Sequence, residues 1–250
     1  MKQKLKSSLL LFFGCIVPSF GELTLEGFYW MMEPSGRGSI GQNAIVGTHF
    51  DLEEDLGFGA TENITGATVV LGGRLSIGGS FVHIDIEAQN SIEKDINIQG
   101  LNFTVNSDIS SVLETQILRG FIRAGPSRGN FSIAGEAGVI YADVSTTASG
   151  AGIGRVSVDV SGGTLYAGAH VKMFITSNLG LQGGFRYSSW NFEAFEYDYF
   201  EYELSARLKI ATFFGGAGYR SLTLDGTDSD ENFDLELELA GPIIYGGFEF

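Results

Sequence analysis

The chain is poor in the residues on which most catalytic and binding chemistry depends: one cysteine, three histidines and four prolines in 250 residues. A single thiol excludes an internal disulfide and any cysteine-based zinc site. Basic residues are also scarce, 15 against 30 acidic, and they form no stripe. A partner held by phosphate neutralisation, and so nucleic acid, is excluded on that ground. Beyond residue 21 no run of 18 or more apolar residues occurs, which leaves no transmembrane helix in the remainder. Glycine, by contrast, is abundant at 36, and aromatics make up 12%. That combination with few prolines suits many twisted strands joined by tight turns.

The first 21 residues stand apart. Lys2, Lys4 and Lys6 precede an apolar run from Leu9 to Val17, then Pro18 and the small-x-small step Ser19-Phe20-Gly21. This is the layout of a cleavable secretory signal, so residues 1–21 are expected to be removed and 22–250 to form one domain. The apolar run is too short to span a bilayer as a helix. Lipidation at Cys15 is the other alternative, but Phe12-Phe13-Gly14 stands where a leucine and a small residue are expected. Cleavage leaves 12 basic against 30 acidic residues, a net charge of −18. An exported chain without a spanning helix is either soluble or a closed barrel.

Period-two alternation decides between them. Phe200, Tyr202, Leu204, Ala206, Leu208 and Ile210 oppose Glu201, Glu203, Ser205, Arg207 and Lys209, a segregation that no helix produces. The same holds for Leu165, Ala167, Ala169, Val171, Met173 and Ile175 against Tyr166, His170 and Lys172, and for Val82, Ile84, Ile86 and Ala88 against His83, Asp85 and Glu87. Ten such segments fall near 22–32, 64–76, 79–90, 110–124, 130–145, 163–175, 179–192, 199–211, 214–225 and 233–250. Short links are expected at 77–78, 125–129, 176–178 and 212–213, with longer ones at 33–63, 91–109, 146–162, 193–198 and 226–232. The expected fold is all-β: a single transmembrane antiparallel barrel of about ten strands, with short periplasmic turns and longer extracellular loops. Eight or twelve strands are the alternatives if 33–63 or 146–162 pairs as a hairpin. Two segments break phase. Arg119 and Arg123 share a face with Leu113, Ile117 and Phe121, and Leu235, Leu237 and Leu239 are out of step with Phe248 and Phe250. A bulge at Gly241-Pro242 is the expected cause of the second.

Several stretches resemble known proteins. The terminal Phe250, with Phe248 two before it, resembles the C-terminal aromatic signal of Gram-negative outer-membrane proteins. The stretches 25–30 (LEGFYW), 50–58 (FDLEEDLGF), 218–222 (GYRSL) and 234–242 (DLELELAGP) are similar to a widespread group of small bacterial outer-membrane β-barrel proteins, mostly of unassigned function. The resemblance implies residence in the outer membrane, contact with its lipids and lipopolysaccharide, and recognition by the barrel assembly machinery through Phe248 and Phe250. It supplies no catalytic residues.

The polar faces of such a barrel are expected to point inward as a lumen charge network of His83, Asp85, Glu87, Glu136, His170, Lys172, Arg186, Glu201, Glu203, Arg207, Lys209, Arg220, Glu236 and Glu238. Ten strands leave little free lumen, so these charges either satisfy one another or line a narrow path for small polar solutes. The long first loop carries Phe50, Leu52, Leu56 and Phe58 among Asp51, Glu53, Glu54 and Asp55. It is expected to fold over or into the mouth. Lipid-facing aromatics such as Tyr29, Phe185, Tyr187, Tyr202, Tyr219 and Tyr245 are expected to form interfacial girdles.

Enzymatic signals are weak. His49 and Asp51 lie near three more acids, as a water-activating cluster would need, but an acidic surface loop is the ordinary reading. His83 and Asp85 are about 6.6 Å apart along a strand, too far for an orienting pair. No G-x-S-x-G occurs. Asp228 and Asp230 offer oxygen ligands for a weak Ca²⁺ or Mg²⁺ bridge to lipopolysaccharide, without the rest of a calcium loop. The expected function is a non-enzymatic outer-membrane barrel, structural or a narrow passive conduit, with no cofactor. A barrel hydrolase and a surface adhesion barrel are the rivals.

Overall fold

In the computed structural model the described residues are 22–41, 47–59, 62–192, 195–228 and 233–250. The segment expected to be removed on export lies outside them. The alternating segments form strands longer than the sequence suggests, in the order β1 (Leu23–Ile40), β2 (Phe50–Asp51), β3 (Glu62–Gly72), β4 (Leu75–Ser91), β5 (Ile96–Ile98), β6 (Leu101–Phe103), β7 (Asp108–Ala124), β8 (Ser127–Arg128), β9 (Phe131–Gly150), β10 (Gly154–Phe174), β11 (Leu179–Phe192), β12 (Phe195–Ile210), β13 (Phe213–Asp228) and β14 (Phe233–Glu249). Ten of these are long. They pair antiparallel in the order β10-β11-β12-β13-β14-β1-β3-β4-β7-β9, and β9 pairs back to β10, so the barrel is closed and has ten strands. Closure leaves every wall strand with two neighbours and abolishes the sheet edge.

Strand partners followed from Leu23 on β1 through Leu71, Ile77, Ile122, Ala137, Ala167, Tyr187, Phe200, Thr223 and Glu238 return to β1 at Ser35, a stagger of 12 residues (35 − 23). A staggered barrel tilts its strands. The chain ends meet at one rim, where Phe250 donates its N–H to the Leu23 carbonyl at 2.9 Å and receives Leu23 N–H at 3.2 Å. The turns at that rim are short, but the first lies at Gly73-Arg74 rather than at 77–78. At the opposite rim, most of the expected loop 146–162 is strand: β9 and β10 pair from Tyr141↔Gly163 up to Gly150↔Gly154. The stretch 92–107 contains the hairpin of β5 and β6.

The two expected irregularities are absent. β14 keeps one register with β13 from Phe213↔Phe248 to Asp228↔Phe233, with no bulge at Gly241-Pro242. β7 likewise pairs evenly with β4 and β9. What changes along each strand is the environment. Toward the rim of the termini the outward face is apolar: Ile77 and Phe81 on β4, Ile133, Val139 and Tyr141 on β9, Leu204, Leu208 and Ile210 on β12. Toward the other rim the same face is polar, with His83, Asp85 and Glu87 following Phe81, and Asp143 following Tyr141. The inward face does the reverse. Arg119 and Arg123 therefore belong with Ile117 and Leu113 after all, as the lower and upper parts of one inward row.

A strand needs only about 9 to 11 residues to cross a bilayer, so the extra length stands beyond the apolar band. There the surroundings are water outside and protein inside, and the side chains sort as in a soluble protein. Trp30, Met32, Ile64, Val82, Ile84, Ile86, Leu113, Ile117, Leu222, Leu237 and Leu239 form one buried cluster across the lumen. Each such side chain contributes roughly 1.5–3 kcal/mol when fully buried.

Where inward side chains are large, glycine on the next strand makes room. A Cβ on Gly138 would lie 2.2 Å from the Gly120 carbonyl and 2.9 Å from the Tyr166 ring, and one on Gly66 would lie 2.1 Å from Phe28.

Candidate functional site

Three layers fill the barrel from the loop rim to the rim of the termini. The first is a plug. Asp51, whose carboxylate accepts the N–H groups of Glu53 and Glu54 at 2.8 Å each, tightens a turn over 51–56, and Leu52 N–H donates to the Gly36 carbonyl at 2.9 Å. This drives Phe50, Leu52, Leu56 and Phe58 into the buried cluster, none more than 2% exposed. Glu53 and Glu54 stay exposed, while Asp55 is buried, accepts Asp51 N–H at 2.7 Å and pairs with Lys94 at 2.7 Å. Ile92, Ile96, Ile98 and Phe103 enter beside them from the second loop. Asn90 joins the loops by donating its Nδ2 to the Glu54 carbonyl at 2.5 Å. The first loop, expected to fold over or into the mouth, lies with these four apolar side chains in the buried cluster.

The second layer is ionic. Arg119 on β7 crosses the lumen to Glu201 on β12, four strands away round the ring, with Nη1 to Oε2 at 2.5 Å. Its Nε donates to Ser80 Oγ at 2.8 Å. Arg186 joins the two carboxylates, reaching Glu136 Oε1 and Glu201 Oε1 at 2.7 Å each. Arg123 also binds Glu136. The Tyr166 hydroxyl donates to Glu136 at 2.8 Å, and the Tyr199 hydroxyl donates to Glu201. Arg220 pairs with Glu203 at 2.5 Å and lies over the Phe28 ring of β1 at 4.5 Å, so it connects this layer to the buried apolar cluster. Charges removed from water in this way persist only when multiply paired, which is what the shared carboxylates achieve.

The third layer is a cavity of about 500 Å³. Its walls include Glu22, Gly73, Arg74, Pro126 and Glu249, all at the rim of the termini, together with Glu26, His170, Lys172, Gln182, Arg207 and the lower faces of Arg119, Arg123, Arg186 and Arg220. Glu249 receives both Arg207, at 2.6 Å, and Lys209.

Of the fourteen side chains expected in the lumen, the structure brings together nine: Glu136, His170, Lys172, Arg186, Glu201, Glu203, Arg207, Lys209 and Arg220. It does not bring in His83, Asp85, Glu87, Glu236 and Glu238. These face outward on the section beyond the apolar band, where inward positions are apolar. His83 stacks on Phe81 with ring centroids at 6.5 Å, and Glu236 pairs with Arg37 at 2.8 Å. Tyr245 is also displaced from its expected girdle: it points inward, with its hydroxyl 3.2 Å from Ser205 Oγ. Tyr29, Phe185, Tyr187, Tyr202 and Tyr219 are exposed on the outer wall. Phe248 and Phe250 stack there too, at 6.0 Å. Asp230 lies outside the described residues and Asp228 is described only as the end of β13. No group of three or more metal-ligating side chains occurs among the described residues.

Sequence reading missed Arg119, Arg123, Glu26, Tyr166 and Tyr199. Their parity was available. Arg119 lies on the same alternate positions as Ile117 and Phe121, and only the reversal of environment along β7 hid its direction.

No protein-family model matches the chain, and no curated protein matches its sequence. Among solved structures it is similar to the outer membrane protease OmpT from Escherichia coli, at 12% identity over 93% of this chain and 97% of that one, with a TM-score of 0.57. The attachment invasion locus protein Ail of Yersinia pestis, at 12% identity over 92% and 99%, and the Pseudomonas putida toluene transporter TodX, at 8% over 93% and 90%, give TM-scores of 0.38 and 0.35. The likeness to the protease is one of fold: a closed outer-membrane-type β-barrel.

Proposed function

We propose that this chain is an integral outer-membrane protein that is closed to solutes and acts by what it displays outside and holds inside. The termini and short turns face the periplasm, the apolar band meets lipid, and the extended strands stand above the surface. One observation carries this reading: the lumen is obstructed twice, by the plug of Phe50, Leu52, Leu56 and Phe58 and beneath it by the bar from Arg119 to Glu201. A water-filled conduit would need both to move.

The outer wall favours display. Asp85, Glu87, Asp143, Asp225, Glu236 and Glu238 all face solvent there, a rigid acidic surface suited to contacts with cationic partners. In the membrane its partners are outer-membrane lipids and lipopolysaccharide, and Phe248 and Phe250 serve as the signal read by the barrel assembly machinery. The reading is non-enzymatic. The exposed His49 and His83 have no hydrogen bond or ion pair with an acid among the described residues.

Conductance tests it. Residues 22–250, refolded and confirmed by heat-modifiable gel migration, are expected to be silent in a planar bilayer. Deleting 48–59 together with Glu201→Ala is expected to give discrete steps. Discrete ion-selective steps from the unaltered chain, shifting with Lys172→Glu, would overturn the proposal in favour of a conduit.

A further inference from the structure

The cavity beneath the ionic layer reverses the charge balance of the whole protein. Seven cationic side chains line it (Arg74, Arg119, Arg123, Lys172, Arg186, Arg207 and Arg220) against four carboxylates (Glu22, Glu26, Glu203 and Glu249), in a sequence with twice as many acids as bases. Of those carboxylates, Glu203 is taken by Arg220 and Glu249 by Arg207 and Lys209. Arg119, Arg123 and Arg186 are held from above by Glu136 and Glu201, so the cations of the wall left without a carboxylate among the described residues are Arg74 and Lys172.

The donors left over are grouped. Lys172 on β10 sits directly across from Gln182 on β11, and Arg207 on β12 pairs with Gly180, two residues from Gln182. Lys172 and His170 make no hydrogen bond or ion pair among the described residues. Arg207 has a side chain only 5% exposed, and its Nε is buried without a hydrogen-bond partner. The guanidinium stacks over the Phe214 ring at 3.8 Å, so Arg207 contributes its charge to the cavity rather than this N–H. Gly180 and Gly184 flank Gln182 on the same inward face, and the Phe174 and His170 side chains lie against them.

We propose that this cavity is a binding site for a small oxyanion, carrying phosphoryl or carboxylate oxygens, that enters from the periplasmic rim. Lys172 and Arg207 supply charge, and Gln182 and His170 supply hydrogen bonds. The ionic layer forms the floor, so the ligand is held and does not pass through. Glu26 on β1, diametrically opposite β10 in the ring, also lacks an ion pair among the described residues. Its carboxylate opposes a bare anion across the cavity, which gives the proposal a second sign to test.

The experiment is calorimetric titration of refolded 22–250, in micelles of an uncharged maltoside, with inorganic phosphate and separately with citrate. One saturable site is expected, weakened at least tenfold by Lys172→Met and tightened about threefold by Glu26→Gln through loss of the like charge. Stronger binding of phosphate assigns the ligand to the phosphoryl class, and stronger binding of citrate to the carboxylates. Absence of saturable heat with both anions would overturn the site, as would equal affinity in the folded chain and both variants. If Lys172→Met does not fold by gel migration, Glu26→Gln and Gln182→Ala decide, the latter expected to weaken binding. A silent bilayer recording leaves this test intact, since holding an anion does not require a pore.

Discussion

At the residue scale the interior is set by how each polar group is satisfied. Glu201, 1% exposed, accepts Arg119, Arg186 and Tyr199. Replacing it by leucine leaves the Arg119 guanidinium without a carboxylate away from water and Arg186 with Glu136 alone, so Glu201→Leu is expected to destabilise the barrel by about 3–5 kcal/mol. Urea unfolding of vesicle-reconstituted protein measures this. Thr115 is the opposite case. Its hydroxyl is fully buried and makes no hydrogen bond, on the row of β7 that also carries Leu113 and Ile117. Thr115→Val keeps the shape and removes the orphaned group, so the same measurement should show stabilisation of about 1 kcal/mol. Gly138→Ala sets a Cβ against backbone and the Tyr166 ring. It is expected to cost about 1–3 kcal/mol by overpacking.

At the element scale each long strand is two strands joined end to end, with the same pleat and opposite surroundings. Val139 and Asp143 on β9 share the outward face four residues apart, one in the apolar band and one beyond it. Val139→Arg places a charge in hydrocarbon and should cost about 2 kcal/mol. Asp143→Arg remains in water and should change stability by less than about 0.5 kcal/mol. Equal costs in urea unfolding would mean that the band ends elsewhere. The reversal also explains what was hard to read in the sequence. A change of hydrophobic phase in 110–124 or 233–250 has two physical origins, a bulge that turns the side chains over or a boundary that turns the environment over. They give the same pattern of letters. A register that stays unchanged along β7, β13 and β14, with only the β1 ladder skipping Gly241 and Pro242, identifies the boundary.

At the scale of the whole molecule, closure and filling are separate matters. Hydrogen bonding round the ring closes the wall, whereas the plug and the ionic layer close the lumen. Removal of 48–59 with Glu201→Ala addresses only the second, so that variant should still show the heat-modifiable migration of a folded barrel while conducting. The loops matter through what they bury. Leu56 is 0% exposed although it lies in the most acidic stretch of the chain, and the mixture of apolar and acidic residues over 50–58 is the sequence trace of a segment with one face in the core and one in water.

The sequence by itself determined the class of fold and a strand number of about ten with eight or twelve left open, and its polar faces contained nine of the charges that the structure places in the lumen. Period-two alternation has only two faces to assign, and a chain without a spanning helix has only a barrel with which to cross lipid. It also pointed to a first loop folded over or into the mouth, because four large apolar side chains in an acidic segment have no stable place in water. Only the tertiary structure decided which way His83, Asp85, Glu87, Glu236 and Glu238 point, since their direction depends on where the apolar band ends and not on any neighbour in the chain. The same holds for the pairing of Arg119 with Glu201, 82 residues apart, and for the cationic cavity beneath them. Both arise from the stagger of the closed ring, which no local pattern encodes.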